Sequence, residues 1–157
     1  MRSVVLAFFS AGLLAASPAL AQNPPANLSH PGAVALSQNQ DGSWMYKSFP
    51  RLMPLYVFGG DEHLKSNCDH VCALVWPVIR AEANDTAVGE WTAIDRPDGT
   101  RQWAYKGRPV YMFYNDEPGQ PRGAGLLEGW YYEPEADQLR RATEDDPANT
   151  VWHLLEP

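Results

Sequence analysis

A chain of 157 residues that is 45% hydrophobic and 20% charged, with 14 Pro and 12 Gly, has the size of one globular domain with its own core and many turns. That apolar content argues against disorder throughout. The formal net charge of −7 argues against nucleic acid or an anionic membrane surface as partner, because both select basic patches.

The first residues read as a separate element. Arg2 supplies a positive start, "VVLAFFSAGLLAA" an apolar run, and Ala19-Leu20-Ala21 the small-x-small pattern of a signal-peptidase site. Residues 1–21 are therefore expected to be a signal peptide, with the mature chain beginning at Gln22 and, having lost Arg2, becoming still more acidic. An uncleaved anchor is the alternative, but spanning a bilayer takes about 20 apolar residues and this run is shorter. No other stretch is long enough to cross a membrane. Export to the periplasm or the extracellular space places the two cysteines, Cys68 and Cys72, where a disulfide is the default. With no cysteine at the cleavage site, a lipid anchor has no obvious attachment point.

Residues 22–40 follow as an expected flexible leader, opening with the Pro-rich, aperiodic "QNPPANLSHPG". From 41 to 157 the chain can be written as one domain with two similar rows. "DGSWMYKSFPRLMPLYVFGGDE" begins at Asp41, and "DGTRQWAYKGRPVYMFYNDE" begins at Asp98. Each opens with Asp-Gly, passes through Trp-x-Tyr-Lys and closes with Tyr-x-Phe-x-x-Asp-Glu. This order predicts a tandem repeat, with repeat 1 at about 41–80 and repeat 2 at about 98–132. Asp-Gly is a hairpin-turn signal, and the aromatic alternation of Trp103, Tyr105, Tyr111 and Phe113 has the period of a strand. Lys106-Gly107-Arg108-Pro109 predicts a second turn and "YNDEPG" a third. Between the rows, "SNCDHVCALVWPVIRAEA" predicts one short helix, capped by Ser66 or Asn67 and stopped by Pro77 near Trp76. "TVWHLLEP" is a candidate last strand. The expected fold is thus mainly β, a single domain of two pseudo-repeated β units that share an aromatic core, with one short helix between them.

Tyr56, Phe58 and Asp61 in the first row and Tyr111, Phe113 and Asp116 in the second carry a resemblance to a bacterial secreted-repeat family. That family has a tandem Y-x-(F/W/Y)-x-x-D motif and is commonly labelled a predicted lipoprotein of unknown function. The resemblance extends through Cys68-x-x-x-Cys72-Ala73 to Trp76-Pro77, and from Asp116 through the Gly-rich loop to Trp130. It spans roughly residues 41–132. It implies export, and no settled activity.

Read from the residues alone, the motif is scaffold: Tyr and Phe share a strand face, and Asp falls in the turn where its carboxylate accepts backbone N–H groups. A ligand reading would pair Asp61 with Glu62 and Asp116 with Glu117, although the spacing of a calcium loop is absent. Cys68 and Cys72, one helical turn apart, would have Cα atoms about 6 Å apart and would close a loop worth about 2 kcal/mol as a disulfide. The rival reading makes them soft-metal or thiol-redox ligands, with His63, His70 or Met53 completing a Cu(I) site. This spacing is similar to that of copper chaperones with a C-x3-C loop, except that Ala73 stands where those have proline. Trp91, Trp130, Tyr131 and Tyr132 are candidates for an exposed aromatic groove, with core packing as the simpler use. His30 and His153 stand alone. "GAGLLEG" lacks the order of a dinucleotide fingerprint, and no Ser-His-Asp order, HExxH or phosphate loop is present.

The functional expectation is an exported binding or structural module with no evident catalytic activity and no cofactor, meeting a small ligand or an envelope protein. A copper-binding or thiol-redox protein centred on Cys68 and Cys72 is the alternative. A hydrolase has only scattered carboxylates behind it.

Overall fold

The computed structural model describes residues 23–24, 28–39, 42–123, 130–133, 136, 138–141 and 152–157. The expected signal peptide, Asp41 and most of the "GAGLLEG" loop lie outside the described residues. In chain order the elements are β1 (Val34–Gln38), β2 (Trp44–Ser48), β3 (Tyr56–Phe58), α1 (His70–Val75), β4 (Arg80–Ala81), β5 (Trp91–Asp95), β6 (Arg101–Tyr105), β7 (Arg108–Tyr111), β8 (Trp130–Glu133), β9 (Gln138–Arg141) and β10 (Trp152–Leu154). Among the described residues the protein is mainly β with one short helix, as the sequence predicts. Among the described residues no helix is long and apolar enough to cross a membrane.

The hairpins expected from both rows are present. β1 pairs antiparallel with β2 across Asn39 N–H to Ser43 O at 2.8 Å, and β5 pairs with β6 across Arg96 N–H to Thr100 O at 2.9 Å. Between β6 and β7 the two-residue turn Lys106-Gly107 has φ values of +49° and +76°, the type I′ geometry that matches strand twist. β1 lies inside the segment 22–40 that was expected to be a flexible leader. Val34 is buried in the core, and Leu28, Ala33 and Leu36 pack against it.

The main sheet has six strands in the order β10-β3-β7-β6-β4, with β5 also on β6. At its centre β3 and β7 run antiparallel, and Tyr56 faces Tyr111 directly. β10 lies along the outer side of β3, with Trp152 opposite Phe58 and Leu154 opposite Tyr56. Along the outer side of β7 runs the segment after α1: Tyr114 N–H bonds Val75 O at 3.0 Å, Met112 N–H bonds Pro77 O at 2.8 Å, and Ile79 N–H bonds Val110 O at 3.1 Å. β7 stops at Tyr111, so Phe113 is not on the strand with Tyr111 as the period-two reading expected. Pro77 has no N–H to return, which leaves the ladder incomplete beyond that point. β8 and β9 form a separate pair, with Trp130 opposite Arg141.

α1 is shorter than expected. Its N-cap is Asp69 rather than Ser66 or Asn67, without a side-chain cap bond. The expected caps are committed elsewhere: Asn67 Nδ2 donates to Gly60 O at 2.8 Å, and Ser66 Oγ receives Cys68 N–H at 3.2 Å. The helix gives way at Trp76, before Pro77, as predicted.

Two aromatic clusters fill the core. One contains Tyr46, Trp91, Trp103 and Tyr105; the other contains Tyr56, Trp76, Tyr111 and Trp152. Trp91 is a correction to the exposed-groove reading, being 0% exposed. On β5 it stands opposite Tyr105, and the Tyr46 ring meets it edge-on at 5.1 Å.

Candidate functional site

The repeated motif assembles into one site at the β3–β7 junction. In each copy the chain turns sharply after Phe, with Asp61 N–H bonding Phe58 O at 3.3 Å and Asp116 N–H bonding Phe113 O at 3.2 Å. Each carboxylate then accepts the backbone N–H of the residue six positions on: Asn67 to Asp61 at 2.8 Å, and Arg122 to Asp116 at 2.7 Å. The second oxygen of each looks across to the other copy. Tyr56 donates its hydroxyl to Asp116 Oδ2 at 2.6 Å, and Tyr111 donates to Asp61 Oδ2 at 2.8 Å. The motif therefore closes reciprocally, Tyr of one row on Asp of the other. Glu62 and Lys65 bridge one turn and Glu117 and Gln120 the other, by equivalent backbone pairs.

The rings repeat the exchange. Trp76 and Trp152 stack at 3.7 Å with planes 5° apart. Trp76 meets the Tyr56 ring edge-on at 5.3 Å and Phe113 at 4.7 Å, while Trp152 meets the Tyr111 ring edge-on at 4.9 Å and stacks on Phe58 at 4.6 Å. Gly123 has a positional reason to lack a side chain. A Cβ there would fall 2.8 Å from the Trp76 ring, 2.9 Å from Phe113 Cβ and 2.9 Å from the Tyr56 ring. Its N–H bonds both Tyr56 Oη and Asp116 Oδ1 at 3.2 Å.

Cys68 and Cys72 form a disulfide, with Cα atoms 5.2 Å apart, and both are buried in the tryptophan cluster. The separation is below the helical expectation because Cys68 precedes α1. Above the bridge lies Arg96, only 6% exposed. Its guanidinium donates to Ser66 Oγ at 2.8 Å, Gln102 Oε1 at 2.6 Å and Cys68 O at 2.8 Å, and it pairs with Asp69. A buried cation held by so many acceptors is satisfied structurally. It ties the β5–β6 hairpin to the cysteine loop.

Burial raises the Asp61 carboxyl to about 7, against the lowering pull of the Asn67 N–H and the Tyr111 hydroxyl. Burial and the neighbouring Asp61 charge also push the Tyr111 hydroxyl well above its ordinary value. The Tyr111 hydroxyl therefore keeps its proton and can donate to Asp61.

The proposed metal ligands are scattered. The His63 ring lies against Gly107 in the β6–β7 turn. His70 begins α1 and lines a hollow with Asp69, Arg96 and Asp98. Met53 lies in the β2–β3 connection, its carbonyl accepting Ser48 N–H at 2.9 Å. Among the described residues no three His, Cys, Asp or Glu side chains are grouped to hold a metal ion. Of the motif residues, Tyr56, Phe58, Asp61, Tyr111, Phe113, Asp116 and Trp76 converge on this site; the backbone of Trp130 begins β8.

Sequence reading missed Trp152, Ser66 and Arg96. Trp152 carried a signal: "VWPVI" and "VWHLL" both put Val-Trp before an apolar run. Arg96, one charged residue beside a turn, carried none.

No curated protein and no solved structure matches the chain. Residues 92–131, from β5 through the second motif into β8, match a family described as a secreted repeat of unknown function, the kind of family that the sequence resemblance indicated.

Proposed function

We propose that the protein is an exported structural or binding module built as a tandem pseudo-repeat, in which the Tyr-x-Phe-x-x-Asp motif locks two units together and performs no chemistry. One observation carries this reading: both Tyr–Asp bonds of the motif run between the rows, Tyr56 to Asp116 and Tyr111 to Asp61. A catalytic carboxylate needs access to a substrate, whereas Asp116 is 7% exposed and its oxygens are occupied by Tyr56, Arg122 and Gly123. Export is supported by the signal-like N-terminus and by the secreted family that residues 92–131 match.

The test is thermal unfolding of Asp116→Ala and Asp61→Ala. Removing Asp116 leaves the Tyr56 hydroxyl and the Arg122 and Gly123 N–H groups short of an acceptor, at about 1–3 kcal/mol per group, whereas removing Asp61 strips the Asn67 N–H while Tyr111 keeps Ser66 Oγ at 2.8 Å. Both melting temperatures should fall, that of Asp116→Ala further. An unchanged melting temperature in both variants would sink the scaffold reading.

A further inference from the structure

The tryptophan-free edge of the other core cluster contains a cleft of about 370 Å3 between β10 and the β6–β7 turn. Its floor is apolar: Val57, Tyr105 and Leu155 all belong to the cluster opposite the Trp76–Trp152 stack. Its rim carries Lys106, Arg108 and His153, with Glu156 as the one acidic side chain among the described residues. Such a concentration of basic groups is notable in a chain of net charge −7. Lys106 and Arg108 are exposed, and among the described residues neither forms an ion pair.

The turn that presents these cations is held from several sides. Lys106 has φ +49°, a left-handed conformation that is uncommon for a residue with a side chain. It persists because neighbours impose it: Lys106 N–H bonds Glu90 O at 2.8 Å, and Leu64 N–H bonds Gly107 O at 2.7 Å. The His63 ring covers Gly107 so closely that a Cβ there would lie 2.0 Å from it. Lys106 Nζ itself rests 4.8 Å over the Tyr105 ring. The loop after the first motif thus buttresses a cationic turn of the second unit.

The geometry points to a binding site for a small organic anion, a monocarboxylate with a short apolar body. The body rests on Val57, Tyr105 and Leu155, and the carboxylate sits between Lys106 and Arg108. Arginine's planar fork matches a carboxylate with two parallel bonds. Glu156 on the same rim favours a single negative charge over a multiply charged anion. The volume lies within the range of small-molecule sites, at the lower end.

The experiment is calorimetric titration of the full mature chain with hexanoate at low ionic strength, set beside hexanol and inorganic phosphate. Hexanoate should saturate one site, while hexanol, lacking charge, and phosphate, lacking an apolar body, should each bind at least about tenfold more weakly. The double variant Lys106→Gln, Arg108→Gln changes only exposed side chains and should weaken hexanoate by about tenfold or more. Lys47→Gln, at the matching place in the first row but away from the cleft, should leave it unchanged. No saturation by about 10 mM hexanoate, equal affinity for hexanol or phosphate, equal affinity in the double variant, or equal loss in Lys47→Gln would overturn the proposal.

Discussion

The two Tyr–Asp pairs share a motif and differ in what surrounds them. Asp116 is held by a hydroxyl and two backbone N–H groups, and Gly123 makes this possible by letting the chain pass beneath the Trp76 ring. Asp61 is held by one hydroxyl and one backbone N–H. The residue after its N–H donor is Cys68, bonded to Cys72, where the second copy has Gly123 after Arg122. One unit closes its loop with a disulfide and the buried Arg96, the other by close backbone approach. The same carboxylate anchor therefore tolerates two different closures, because what it needs is a donor at a fixed place and not a particular side chain to provide it.

The stacked tryptophans give the sharpest test of how equivalent the units are. Trp76→Ala and Trp152→Ala each remove a buried indole and should cost about 3–5 kcal/mol in chemical denaturation. A Trp152→Ala cost below half that of Trp76→Ala would break the equivalence and make β10 an accessory strand.

The hydroxyls come next in size. Tyr56→Phe leaves the buried Asp116 and the Gly123 N–H each short of a partner, and should cost about 1–3 kcal/mol. Tyr111→Phe should cost less, since Ser66 keeps bonds to Arg96 and to Cys68 N–H. The reverse order would show that the disulfide half, not the glycine half, is the tighter closure.

The smallest effect concerns pH. Asp61 titrates near 7 when folded, above its unfolded value of 3.8, so the native state binds the extra proton between these limits. Stability linked to this group is present at low pH and is lost as pH rises through 7. Glu62 and Asp98 are held low, by Lys65 and Thr100 respectively, and their contributions change only at more acidic pH. Melting temperature should therefore be higher at pH 5 than at pH 8, and Asp61→Asn should reduce that difference. An Asp61→Asn variant with the full difference would place the titration elsewhere.

Much of this architecture was legible in the residues. Asp-Gly before alternating aromatics marked the hairpins, because backbone conformation at a two-residue turn is a local property. Pro77 marked the helix stop, since a missing N–H acts wherever it stands. Cys68 and Cys72 could be paired because only four positions separate them. The helix N-cap was misread for a non-local reason: Ser66 and Asn67 have capping chemistry, but Tyr111, Arg96 and Gly60 had prior use of their polar atoms.

What the sequence by itself determined was the set of local pieces: β hairpins, a short stopped helix, a cysteine pair, and two Tyr-x-Phe-x-x-Asp turns with the same spacing. Only the tertiary structure decided that each tyrosine serves the other unit's aspartate, that Trp152 stacks on Trp76, and that Lys106, Arg108 and His153 share one cleft. The reason is physical. A turn depends on neighbours a few residues away, whereas these contacts join residues such as Tyr56 and Asp116, which are 60 positions apart and meet only after β3 and β7 have paired.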